Sequence, residues 1–294
     1  MKSNRFSEAI TGYLFIMPWV IGFLAFNLIP LVLALFYSFT DYAVIGDYGW
    51  VGLRNYRRVL FEDPLFWKSL YNTCYFVLFT VPVIVALGLT TALLLNQRVR
   101  GRNLFRAIFY LPSVIPFAAN SLLWLALLDT DVGLVNFLIG LIGTPKVAWL
   151  ASELWSKPAI ILMTYWTIGR GMIIYLAGLQ DIPKELYEAA ELDGSGRISQ
   201  FFSITLPMIT PVLYFDLLMG VIHYFQVFVR AFIMTDGGPL NSTLFYSLYL
   251  YNNAFRYFKM GYASALAWIL FLIILGFTIL IMKTSERWVF YRGG

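Results

Sequence analysis

An all-α membrane protein with six crossing helices is the fold class this sequence predicts, and three observations predict it. Of 294 residues, 60% are apolar and only 13% charged, against roughly 25% charged in soluble domains. So few polar residues cannot coat a soluble globule, which excludes a cytosolic enzyme and a nucleic-acid module. Six segments are apolar over the ~20 residues that cross a hydrocarbon core, and the connections between them are too short for a separate folded domain. Residues 1–294 therefore read as one transmembrane domain.

The spans lie near Ile10–Phe39, Ser69–Asn96, Ala107–Leu128, Trp155–Leu179, Met208–Met234 and Met260–Met282. Lys2 and Arg5 before the first run suggest a secretion signal, but the run is too long and no small-x-small cleavage site follows, so it reads as a retained span. An even number of spans puts both termini on one side. Placing them in the cytoplasm gathers eleven basic residues inside: Lys2, Arg5, Arg98, Arg100, Arg102, Arg106, Lys184, Arg197, Lys283, Arg287 and Arg292. Eight fall outside: Arg54, Arg57, Arg58, Lys68, Lys146, Lys157, Arg256 and Lys259. Short loops weigh most in this balance, and the turn Gln97–Arg106 alone carries four arginines. The outer segments are longer and rich in aromatics, as a membrane-interface belt requires.

Cys74 and His223 are each the only residue of their type, so neither an intrachain disulfide nor a multi-His metal site is available. Clustered acid–base groups for a membrane enzyme are lacking too. No G-x-x-x-x-G-K-[ST] phosphate loop occurs. Two energy sources remain open: an ATPase on another chain, or an ion gradient acting on ionisable groups within the spans. The latter are Arg170, Asp216, His223 and Arg230.

The connection 180–207 between spans four and five carries the functional argument. Pro183 suits a first helical turn, helix formers follow, and Gly194 suits a left-handed C-terminal cap. That predicts about three turns with Leu186, Ala189, Ala190 and Asp193 along one side. A second short helix follows, with Ile198, Phe201, Phe202 and Leu206 on one face, before Pro207 and Pro211 mark the next span. Such short helices need a surface to dock on.

The stretch Glu188-Ala189-Ala190-x-x-Asp193-Gly194, followed by Ile204-x-Leu206-Pro207, resembles the EAA loop of ABC-importer permeases. Asn72-Thr73, Arg106-x-x-x-x-Leu111-Pro112 and Thr235-Asp236-Gly237-Gly238-Pro239 are similar to those of the carbohydrate-uptake group, which includes permeases for maltose, other oligosaccharides and glycerol phosphate. Ser195 stands where that group most often has alanine. The resemblance implies the type I importer permease fold with a short cytoplasmic coupling helix, in a bacterial cytoplasmic membrane. It implies a permease that hydrolyses nothing itself and carries no cofactor, with ATP and magnesium on partner subunits. Those partners are a second homologous permease, two ATP-binding subunits and an extracytoplasmic solute-binding protein. Glu188, Ala189, Ala190, Asp193, Gly194, Leu206 and Pro207 would couple the chain to the ATPase: Glu188 meeting a basic group, the alanines allowing close approach, Gly194 making the bend. The cargo would be a sugar, oligosaccharide or glycerol-phosphate-like solute.

Within the bundle, Asp216, His223 and Arg230 recur every seven residues, with Gln226 beside them, and so form a polar stripe on span five. Thr167, Arg170 and Gly171 share a face of span four. Arg170 and Asp216 lie at similar depth, which predicts that they pair. That pair reads either as a structural neutralisation of two buried charges or, in an ion-coupled secondary carrier, as its switch. Thr167, Arg170, Gly171, His223, Gln226 and Arg230 are the candidates for a solute path, while Arg230 and His223 have a plain alternative as a snorkelling cation and a packing residue.

Overall fold

The computed structural model describes residues 2–97 and 100–291, with side chains from Ile10 onward. Of the inward charges expected above, Arg98 and Arg292 lie outside the described residues, as do the side chains of Lys2 and Arg5. Regular structure among the described residues is helical, apart from a bridge between Thr40 and Trp50. Two compact units divide the chain, Met1–Asp63 with Leu250–Phe271 and Pro64–Tyr249 with Leu272–Gly294.

In the first unit, α1 (Lys2–Phe23) passes through a π-helical turn (Leu24–Leu28) into α2 (Ile29–Ser38). The wider turn precedes Pro30, whose ring would otherwise crowd the carbonyl four residues earlier. Ile10–Ser38 is thus a continuous 29-residue apolar helix, long enough to cross a membrane. Asn55, on α3 (Arg54–Phe61), donates to the carbonyls of Ser38 at 2.9 Å and Thr40 at 2.8 Å, which satisfies the open end of α2. A Cβ on Gly261 would stand 2.2 Å from the Thr40 carbonyl oxygen, so glycine alone fits where the last span meets this turn.

The second unit is built on α4 (Pro64–Asn96). It is followed by α5 (Arg102–Val114), α6 (Phe117–Leu127), α7 (Leu134–Gly140), α8 (Ser156–Tyr165), α9 (Gly169–Gln180) and α10 (Lys184–Leu192). Then come α11 (Arg197–Gln200), α12 (Leu206–Phe225) and α13 (Val229–Met234), while α14 (Tyr246–Tyr251) and α15 (Met260–Ser285) each have residues in both units. α8, α9 and α12 all pack on α4. Ala92 and Leu95 of α4, Met172, Tyr175, Leu176 and Leu179 of α9, and Ile209 of α12 form one buried apolar cluster, the hydrophobic burial that holds the helices together.

Three spans depart from the straight crossings expected. The third is broken between α5 and α6 by 100°. Ile115 is extended (φ −66°, ψ 128°) because the ring of Pro116 disfavours a helical residue before it. The fourth bends by 40° between α8 and α9. The fifth starts earlier and ends sooner than expected. Arg197–Phe225 is one continuous helix in which a π-helical turn (Phe201–Thr205) absorbs Pro207, so the separate second loop helix does not exist. That helix stops at Phe225, where the Gln226 amide turns back to the Ile222 carbonyl at 3.0 Å. Arg230 consequently sits on α13, off the stripe that carries Asp216 and His223.

Candidate coupling loop and solute cavity

α10 is a nine-residue helix with no buried residue. Pro183 caps it with extended backbone (φ −60°, ψ 135°) instead of occupying the first turn, and the helix makes about two and a half turns instead of three. Its C-terminus has the geometry expected of the glycine. Gly194 is left-handed at φ +77°. The Ser195 N–H reaches the Ala190 carbonyl at 2.8 Å and the Gly194 N–H the Glu191 carbonyl at 3.0 Å, a paired cap that closes the helix end. Ser195 contributes only its backbone here, which is why a departure from alanine leaves the turn intact.

The helix has two faces. On the inner one, Tyr187 packs against the buried cluster of α4, α9 and α12, and its hydroxyl lies 2.9 Å from that of Thr205. On the outer one, Glu188 and Ala189 are exposed, with Asp193 and Gly194 beyond them, while Ala190 is half-buried. Leu192 is 90% exposed, and Ile198 and Phe202 stand at 77% and 63%, while Phe201, Leu206 and Pro207 turn partly inward. Leu192 and Tyr187 were not singled out by sequence; the helical register places Tyr187 opposite Leu192, but only the packed structure says which side is inside.

Thr167, Arg170, Gly171, Asp216, His223 and Arg230 all line one cavity of about 190 Å³. Gln226 lines an adjoining one that shares Phe117, His223, Tyr224 and Arg230. The expected Arg170–Asp216 pair is absent. The Asp216 carboxylate instead accepts a hydrogen bond from the Tyr175 hydroxyl, and the missing side chain of Gly171 leaves room for this contact, since a Cβ there would lie 3.4 Å from both groups. Depth along two helices is matched, but rotation about them gives Asp216 to Tyr175. Nor does Arg230 snorkel. It is 4% exposed, donates to Thr164 Oγ1 at 2.7 Å and lies 5.0 Å from the centre of the Phe117 ring. His223 is exposed and leans on the same Phe117. At the start of α9, Gly169 lets the backbone of α5 approach, since a Cβ would fall 2.4 Å from the Phe109 carbonyl oxygen.

Two other singled-out stretches meet each other. Asn72 donates to the carbonyls of Asn241 (2.9 Å) and Leu244 (3.1 Å), and Thr73 Oγ1 accepts from the Tyr246 N–H at 2.8 Å. Thr235 and Thr243 hydroxyls are 2.6 Å apart, with Thr243 donating to Gly238. The start of α4 therefore clamps the turn-rich segment after α13. Among the described residues no cluster of three His, Cys, Asp or Glu could hold a metal ion.

Residues 84–289 match the family of binding-protein-dependent transport system inner membrane components. The probable ABC transporter permease protein YesP of Bacillus subtilis (strain 168) is 41% identical over 99% of this chain and 96% of its own. The trehalose/maltose transport system permease protein MalF of Thermococcus litoralis is 36% identical over 96% of each. In fold, the chain resembles a solved bacterial ABC transporter involved in import of the acidic polysaccharide alginate, with a TM-score of 0.86 and 24% identity over 97% of this chain and 98% of that one.

Proposed function

The chain belongs to the family of binding-protein-dependent transport system inner membrane components, and from that premise we propose how it works. It is a multi-pass permease subunit of an ABC importer, not an enzyme, and ATP is hydrolysed on separate subunits. Its cargo is a sugar, oligosaccharide or glycerol-phosphate-like solute, a reading supported by relatives such as the trehalose/maltose permease. It resides in a bacterial cytoplasmic membrane with both termini inside. Residues 1–294 act as one permease domain, and 180–207 form its cytoplasmic coupling loop. A second homologous permease completes the pore, and two ATP-binding subunits and an extracytoplasmic solute-binding protein complete the importer. ATP and magnesium bind those ATP-binding subunits.

The observation that carries this reading is a continuous packed path from loop to cavity. Tyr187 of α10 packs on the same buried cluster that contains Tyr175, and the Tyr175 hydroxyl holds Asp216 in the cavity wall. A cluster at interior packing density transmits displacement instead of absorbing it. Glu188, Ala189, Ala190, Asp193, Gly194, Leu206 and Pro207 form the docking and bending part of this device. Closure of the ATPases pushes α10, and the walls that bear Thr167, Arg170, Gly171, His223, Gln226 and Arg230 open first outward and then inward. The cavity is smaller than the ~300 Å³ at which ligand-enclosing pockets begin, which suits one wall of a path shared with a second subunit.

The secondary-carrier alternative loses its switch, because Arg170 and Asp216 do not pair. The importer, purified with its partner subunits and reconstituted in vesicles, tests the reading. Uptake that needs ATP and survives a proton uncoupler is expected; uptake that proceeds without ATP and collapses with the uncoupler contradicts it.

A further inference from the structure

We infer that the cavity is built for a solute with a single negative charge, a saccharide bearing one carboxylate. This rests on the sugar-importer reading above and narrows its substrate class. Arg230 is buried at 4% exposure. Among the described residues its one side-chain hydrogen bond goes to a neutral hydroxyl, Thr164 Oγ1 at 2.7 Å, and the faces of Phe117 and Tyr224 lie 5.0 and 5.9 Å from its guanidinium. Among the described residues no carboxylate lies within ion-pair distance of Arg230 or of Arg170 across the cavity. Asp216 is the one acidic residue in the wall, and it is engaged by Tyr175. Two arginines against one aspartate leave the wall with one uncompensated positive charge.

A guanidinium taken out of water is costly unless an anion meets it. Thr164 and two ring faces meet it only in part, and the unused N–H groups of Arg230 form the planar fork that binds a carboxylate in bidentate fashion. A neutral sugar offers hydroxyls, which leave that charge unbalanced. A phosphate monoester brings about −1.5 to −2 charges and overshoots. One carboxylate balances the wall.

The test is uptake by cells carrying the whole importer, fed a mixture of cellobiose and cellobiouronate, maltose and maltobiouronate, and glucose 6-phosphate, with imported solutes identified by mass spectrometry. The expected result is accumulation of a carboxylate-bearing member at least about 10-fold above its neutral counterpart. In Arg230→Gln that preference falls by about 10- to 100-fold, the range for losing a charged hydrogen-bonding partner. Should Arg230→Gln fail to fold, the wild-type ranking alone decides. Equal or preferred uptake of the neutral members overturns the inference and leaves the sugar-importer reading standing, and preference for the phosphate overturns the carboxylate class. If no saccharide accumulates beyond the level of cells lacking the permease, the sugar reading itself is wrong and the inference falls with it.

Discussion

Replacing Leu192 by alanine separates docking from folding. The side chain is 90% exposed at the last turn of α10 and touches little of its own chain, and alanine is the best helix former, so the loop keeps its shape. If Leu192 is buried when the ATPase binds, the variant forfeits the transfer of three carbons at ~0.8 kcal/mol each, about 2.4 kcal/mol in all. At 1.4 kcal/mol per tenfold, that weakens binding of the isolated ATPase subunit to the detergent-solubilised permease by roughly 50-fold. Titration of labelled ATPase onto immobilised permease reads the change directly, while the melting temperature of the permease alone should not move. A dissociation constant within twofold of wild type would show that the outer face of α10 is not the docking surface. A falling melting temperature would show that Leu192 is not free in the isolated chain.

Glu188→Lys reverses the exposed charge beside Ala189; transport and ATPase attachment should be lost with membrane insertion unchanged, as measured by uptake and co-purification. Arg170→Ala and Asp216→Ala should act independently on the stability of the purified chain, with a double-mutant coupling below about 0.5 kcal/mol, because Asp216 bonds to Tyr175; a double mutant more stable than the Asp216→Ala and Arg170→Ala effects add up to would restore the pairing. Gly169→Ala forces apart α9 and the α5 backbone at Phe109, which should cost about 1–3 kcal/mol and lower the melting temperature of the purified chain. In the loop after α6, the Asp129 carboxylate accepts the N–H groups of Val132 and Asp131, each at 2.9 Å, and these hold its pKa below the usual carboxylate range. A depressed pKa stabilises the loop above the unfolded value near ~3.9 and is lost as pH falls through the folded one. Protection of the 131 and 132 amides, measured against their intrinsic exchange rates at each pH, should therefore fall in acid, and Asp129→Ala should show the low protection at every pH.

What the sequence disclosed was whatever is encoded locally. Gly194 after a run of helix formers announces a left-handed cap, and six apolar lengths announce crossings. The break of the third span was also written there, in the extended backbone that Pro116 imposes on Ile115, but apolar length alone runs straight through it. The end of the fifth span was not legible, since nothing from Tyr224 to Arg230 is a glycine or proline. A heptad count therefore carries Arg230 onto a helix it does not share with His223. The partners of the buried polar groups were hidden for another reason. Tyr175 is 41 residues from Asp216, and Thr164 is 66 from Arg230. Depth along a span is a one-dimensional coordinate; which side chain meets which depends on rotation about each axis, set by packing among α4, α9 and α12.

The central claim is that α10 receives the motion of a separate ATPase inside the cell. With Cys74 replaced by serine and a cysteine placed at 188, a short bifunctional crosslinker in whole cells measures this contact. A permease–ATPase adduct formed only with a membrane-permeant reagent, its yield changing with bound nucleotide, is the predicted result. Modification of position 188 by an impermeant reagent added outside intact cells, with no such adduct, would contradict it.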